Sequence, residues 1–192
     1  STTAAEQQQQ RQLEAERGPT STSITPDEPI ALAGQNHKRI SQRIESPCMA
    51  TVLALETRRD GQSLEQAIMV SCDLVLIADQ LQPRLRKMLA GKVPGFDLKK
   101  LFLNATLTHS GPVTRAIGWY TIDDPGVMKP PAYVDFMLKK IADAIVAAWK
   151  NRKPGGVSWG LGHAVVGSNR RMVYRTAQGQ PPFGGGTAAM YG

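Results

Sequence analysis

Apolar positions recur along this chain with two different periods. Over 48–56 and 67–77 they form β-prone runs, and the Asp60-Gly61 pair between them favours a tight turn, so the two runs form a hairpin. Over 79–89 the repeat lengthens to that of a helix. Leu81, Leu85, Met88 and Leu89 share one face, Asp79 stands at the N-cap, Pro83 falls in the first turn and Gly91 ends the element. The run 101–108 supplies the next strand, and strand–helix–strand at this spacing is a βαβ unit with a parallel pair and a right-handed crossover. The strongest helix pattern covers 132–152, where Tyr133, Met137, Ile141, Ala144, Ile145, Ala148 and Trp149 make the apolar stripe and Pro154, Gly155 and Gly156 stop it. Val157, Trp159, Leu161, His163 and Val165 then alternate with Ser158, Gly160, Gly162 and Ala164. That pattern predicts a last strand with one bulky face and one small face that needs a covering layer.

These elements predict an α/β fold: a layered mixed β-sheet with flanking helices, containing a βαβ unit and forming part of a larger domain. The first 23 residues are polar and Gln-rich, offer almost nothing to bury, and are expected to be a disordered tail. The α/β region is expected over 24–170, and 171–192, rich in Arg, Gly and Pro, as a flexible loop or tail. A long loop over 110–131 carries Trp119, Tyr120, Asp123 and Asp124, and loops of that length in a domain are functional or disordered.

Composition narrows the class. With 192 residues and 41% hydrophobic residues the chain can bury one sizeable core. The net charge is +7, yet Lys87, Lys92, Lys99, Lys100, Lys139, Lys140 and Lys150 are scattered over several elements with no aromatic interleaving. A mildly basic solvated surface is expected rather than a nucleic-acid groove. No apolar run approaches the ~20 residues that a membrane-spanning helix needs. The sequence starts at Ser1 without an initiator Met, which points to a processing site or expression boundary, with a secretory signal removed and a secreted or periplasmic location. Cys48 and Cys72 lie in successive strands, as a pair of buried free thiols or as a cross-strand bridge.

Few residues are placed to do chemistry. His109 follows a strand and precedes Ser110-Gly111-Pro112, so an imidazole is delivered to the carboxyl end of a sheet, where open α/β folds bind ligands. It is read as a metal ligand, a general base, an oriented donor or a structural histidine. Ser110 points the opposite way on an extended backbone, and no Gly-x-Ser-x-Gly elbow exists, which weakens a serine-hydrolase reading. Asp73 interrupts an apolar run, either as a buried acceptor fixing a loop or as a carboxylate orienting a site group. Asn169, Arg170 and Arg171 follow the last predicted strand, where a guanidinium would suit a carboxylate or oxyanion, or simply solvent. His163 reads as a core histidine and His37 as surface. Asp123-Asp124 lacks calcium-loop spacing, and Gly184, Gly185 and Gly186 form a linker rather than a phosphate loop.

Thr106-Leu107-Thr108-His109-Ser110-Gly111-Pro112 resembles the Thr-His-Thr-His-Ser-Gly-Pro signature of the neutral/alkaline (non-lysosomal) ceramidases, a family of zinc-dependent amidases. The likeness runs from about Ile24-Thr25-Pro26 through the strand ending in Asp73, resumes at Tyr133-Val134 and again at Asn169-Arg170. It implies that His109 matches the second histidine of the signature, near the substrate, and that Arg170 lines the site. It also implies that the zinc-binding first histidine is replaced by Leu107. The family's other metal ligands, a histidine, a glutamate and a tyrosine, would come after residue 192. The resemblance therefore implies the N-terminal part of the catalytic domain of a lipid-amide hydrolase. His109 and Arg170 are its expected catalytic residues, supported by Asp73 and Asn169. Zinc is expected only in a complete domain, with His109 a possible ligand, and is weak or absent here. The rest of the domain is expected on a second polypeptide, unless the chain forms a homo-oligomer. The competing functions are a non-catalytic binding or assembly subunit, and a basic protein that binds an acidic polymer or lipid surface.

Overall fold

Asp60 and Gly61 both take positive φ, 51° and 78°. That is the two-residue type I′ geometry whose twist suits a hairpin. In the computed structural model, which describes residues 14–158, 160–167, 171–173 and 188–190, this turn joins β2 (Met49–Arg59) to β3 (Gln62–Cys72). The strands pair antiparallel, with a register irregularity between Thr57 and Arg58. Ala50, Val52 and Ala54 of β2 and Ile68, Val70 and Cys72 of β3 all turn to the buried face. Both cysteines are free; burial, and the nearby Asp73 charge, push the Cys72 thiol up to about 12.

β4 (Leu101–Ala105) pairs parallel to β3, Ile68 opposite Leu101 and Cys72 opposite Ala105. Helix α1 (Leu81–Leu89) connects them, completing the expected βαβ unit. Its buried residues are Leu81, Leu85 and Leu89, but its N-cap is Gln80 rather than Asp79, and no side chain caps it. The strand also ends three residues earlier than expected. Thr106 donates its N–H to the Cys72 carbonyl, and Leu107 then turns the chain at a φ of 64°. β4 is not buried on both faces, since Phe102 is 55% exposed.

The seven stripe residues named above are all buried in α2 (Pro130–Lys150), which starts at a proline whose missing N–H costs nothing at that position. Its Tyr133 hydroxyl donates to the Ile24 carbonyl, 3.0 Å away. Its ring leans 6.4 Å from Phe136, and Trp149 packs 4.9 Å from Phe96.

From residue 14 on, the polar segment before Ile24 is a strand rather than the expected tail. Glu14–Ser23 is strand β1, paired antiparallel along its whole length with β2. A ladder needs no apolar side chains, and here the inner face is held by close approach. A Cβ on Gly18 would lie 2.0 Å from the Ala148 carbonyl oxygen, so only glycine lets α2 cross β1 at that point. The sheet order is β4-β3-β2-β1-β5, with β5 (Lys153–Pro154) pairing with β1.

The chain divides into two compact units, the first ending at Val157 and the second starting at Ser158. The strand expected over 157–165 does not form among the described residues there. Leu161 is 86% and Val165 100% exposed, and His163 is exposed rather than part of a core. The glycines at 160 and 162 weaken a strand, and an alternating small face supplies no packing to offset that. Trp159 lies outside the described residues. The second unit holds instead an antiparallel pair, β6 (Arg171–Val173) and β7 (Ala188–Met190), within the segment expected to be a flexible tail.

Candidate functional site

The carboxyl ends of β3 and β4 lie side by side, and a third segment, 24–48, is tied across them. Leu32 and Ser41 donate backbone N–H groups to Arg39 and Ile30, closing a small loop ladder. Ala33 donates to the Gly111 carbonyl and Val113 to that of Ala31, both at 2.9 Å, so the chain after β4 becomes part of the ladder. Lys38 makes the outer tie, 2.7 Å from Asp124 and 3.7 Å from Asp123. The hydrogen bond to Asp124 raises the Lys38 pKa, and the same bond lowers that of Asp124. The two acidic residues therefore serve a lysine.

Asp73 knots three strand ends together. Its N–H donates to the Met49 carbonyl at 2.8 Å, Met49 N–H donates to Oδ2 at 2.8 Å, and Thr106 Oγ1 donates to Oδ1 at 3.2 Å. Both carboxylate oxygens thus accept hydrogen bonds from the starts and ends of strands. Gly111 packs on the same knot, since a Cβ there would lie 2.8 Å from the Asp73 carbonyl oxygen.

His109 sits four residues beyond β4, exposed at this end of the sheet. Its backbone is held from two sides. The Arg39 guanidinium donates to the carbonyls of both His109 and Ala33. Gly34, at a φ of 96°, lies so close that a Cβ would come within 2.5 Å of the His109 Cβ. The His109 backbone is thus held in place while the residue stays exposed. Arg39 lies two residues beyond His37, which the sequence reads as surface. No residue type or spacing announces that a lone arginine will bind two carbonyls 76 residues apart in chain order, the position of His109 less that of Ala33.

Two depressions are lined by residues around this histidine. The larger, about 830 Å³, is lined by Arg39, Ser41, Asp73, Thr108, Ser110 and Pro112 among others. The smaller, about 390 Å³, is more apolar and is lined by Gly34, Val75, Val113, Ile117 and Trp119 among others. The neighbours of His109 line the first, and Gly34 lines the second.

A zinc centre does not fit the described residues. Leu107 offers no donor atom and is 64% exposed. Asp73 is committed to strand ends, and the Cys72 thiol is held protonated by burial. No three His, Cys, Asp or Glu side chains converge among the described residues. Asn169 and Arg170, expected beside His109, lie outside the described residues; Arg39 and Gly34 are the described residues that hold the His109 backbone.

No family model and no curated protein matches the sequence. Solved structures do share the fold. The neutral ceramidase from Pseudomonas aeruginosa is 21% identical with a TM-score of 0.62, over 74% of this chain and 22% of that one. A ceramidase complexed with C2 is 22% identical with a TM-score of 0.60, over the same shares. The chain thus has a neutral ceramidase-like fold, as an open mixed sheet that accounts for about a fifth of those chains. Among the described residues no helix is long and apolar enough to cross a membrane.

Proposed function

We propose that this chain is one portion of a ceramidase-like amide hydrolase acting on a lipid amide in a secreted or periplasmic setting, with the remaining portion supplied outside these 192 residues. The observation that carries the reading is His109, backbone-fixed by Arg39 and Gly34 at the sheet end of a fold shared with ceramidases. In that role the imidazole takes the proton of an attacking water and returns it to the leaving amine, the service a histidine renders near neutral pH. The apolar depression beside Trp119 suits an acyl or alkyl arm. Arg170 remains the expected oxyanion partner.

Zinc, on this reading, belongs to the complete domain and to ligands other than Leu107. The elemental content of the purified chain is therefore expected to be well below one zinc per molecule, and stoichiometric zinc lost on chelation together with activity would overturn that statement. Hydrolysis of a fluorogenic N-acyl amide by the chain with its companion, reduced about a hundredfold or more by His109→Ala, tests the amidase reading. Leu107, which offers no donor atom, favours a second reading, an assembly subunit of the same fold without catalysis. It is the outcome if His109→Ala changes nothing.

A further inference from the structure

The sheet has a second face, turned away from α1 and α2. Gly18, Ala54, Ile68 and Leu101 stand opposite one another across four strands and are all buried. One residue along, the same register aligns Pro19, Leu53, Met69 and Phe102 on the other face. Met69 is 48% and Phe102 55% exposed. The following row is Ser21, Thr51, Ser71 and Asn104. Ser21 and Thr51 hydroxyls lie 3.2 Å apart, and the Asn104 amide donates to Ser71 at 3.3 Å. A sheet that leaves one face in water normally makes that face polar. Here an apolar row crosses four of the five strands and reaches the outer strand β4, beside a row already bonded to itself.

We infer that this face is the docking surface for the polypeptide that supplies the remainder of the ceramidase-like domain, which lays an apolar layer over the Pro19–Leu53–Met69–Phe102 row. Length argues for that occupant. The same fold makes up only 22% of the matched ceramidase chain, so the larger part of such a chain lies outside it, and this row is an uncovered apolar row across four of the five strands. Two facing layers about 10 Å apart would bury these side chains against its apolar face. The identity of the partner rests on the ceramidase-like reading above; the place of the interface rests on the register.

Photo-crosslinking in the full chain, expressed in its native source, tests this. The probe is p-benzoylphenylalanine, placed at Phe102 in one variant and at Lys139, an exposed position of α2, in another. The expected result is a Phe102 adduct, identified by peptide mass spectrometry as ceramidase-like sequence outside these 192 residues, with none from Lys139. Adding Met69→Lys, a solvent-facing change that spares the core, should cut the adduct about tenfold. An adduct with a second copy of this chain, with a protein lacking ceramidase likeness, or no adduct, overturns the inference, as does an unchanged yield in Met69→Lys. A complex crosslinked through Phe102 that hydrolyses no amide leaves the interface standing and overturns the amidase reading instead.

Discussion

Leu107 holds a left-handed backbone at a φ of 64°, with its side chain mostly in solvent. A non-glycine residue in that region costs about 1–2 kcal/mol, and an exposed leucine recovers little of it through packing. Leu107→Gly is therefore expected to leave stability unchanged or raise it by up to ~1 kcal/mol in urea unfolding, after the greater freedom of glycine in the unfolded chain is counted. A loss above ~1 kcal/mol would mean that the leucine is packed. Gly34 predicts the reverse. Its φ of 96° and its 2.5 Å approach to His109 make Gly34→Ala doubly unfavourable, by about 2 kcal/mol or more. The imidazole proton signals of His109 should shift in that variant and stay put in Gly91→Ala, where a Cβ meets nothing.

At the scale of elements, β1 is clasped to α2 by charge. Arg152 stacks on Trp149 at 3.3 Å, donates to Glu56 at 2.8 Å and lies 3.4 Å from Glu16. Burial pushes the Glu56 carboxyl up, but hydrogen bonds from Ser63 and Arg152 outweigh it and leave the pKa below its ordinary 4.5. A lowered folded pKa stabilises the protein above the unfolded value, and that contribution is lost as pH falls through the folded one. Acid unfolding should therefore steepen below about pH 4.5 and flatten in Glu56→Gln, followed by circular dichroism. Arg152→Ala, which strands a buried carboxylate, should cost about 3 kcal/mol at pH 7. This clasp explains which elements were legible. In α2 every stripe residue is apolar, so periodicity shows it. In β1 the inner face is Glu16, Gly18, Thr20 and Thr22, held by a ladder and by Arg152, 136 residues beyond Glu16 in chain order, and no local pattern carries that. Conversely, residues 157–165 alternate like a strand yet have no neighbour to pair with among the described residues. At the site, the Gly-Pro stop after His109 was readable. Arg39 was not, because its partners are backbone carbonyls, and those have no residue type.

Across the first unit, stability should follow the position of each strand in the sheet. β2 and β3 have neighbours on both sides and bury Ala50, Val52, Ala54, Ile68 and Val70 completely, so their central amides open only with the whole core. β4 lies at the edge, five residues long, with Leu101 its one fully buried side chain and Phe102 in water. Side chains of Gln82 and Arg86 reach the Leu101 carbonyl, which ties down the start of the strand but not its end toward His109. Opening that end forfeits little apolar burial. Amides from Leu103 to Thr106 are therefore expected to exchange at least about tenfold faster than those of Val52 and Val70, a difference of ~1.4 kcal/mol in opening free energy, by hydrogen-exchange mass spectrometry. Equal protection of β4 and β2 in the chain alone would contradict this. The same measurement in the assembled protein should slow β4 toward β2, because a layer over Phe102 adds the burial that the edge strand lacks and steadies the strand end from which His109 is carried.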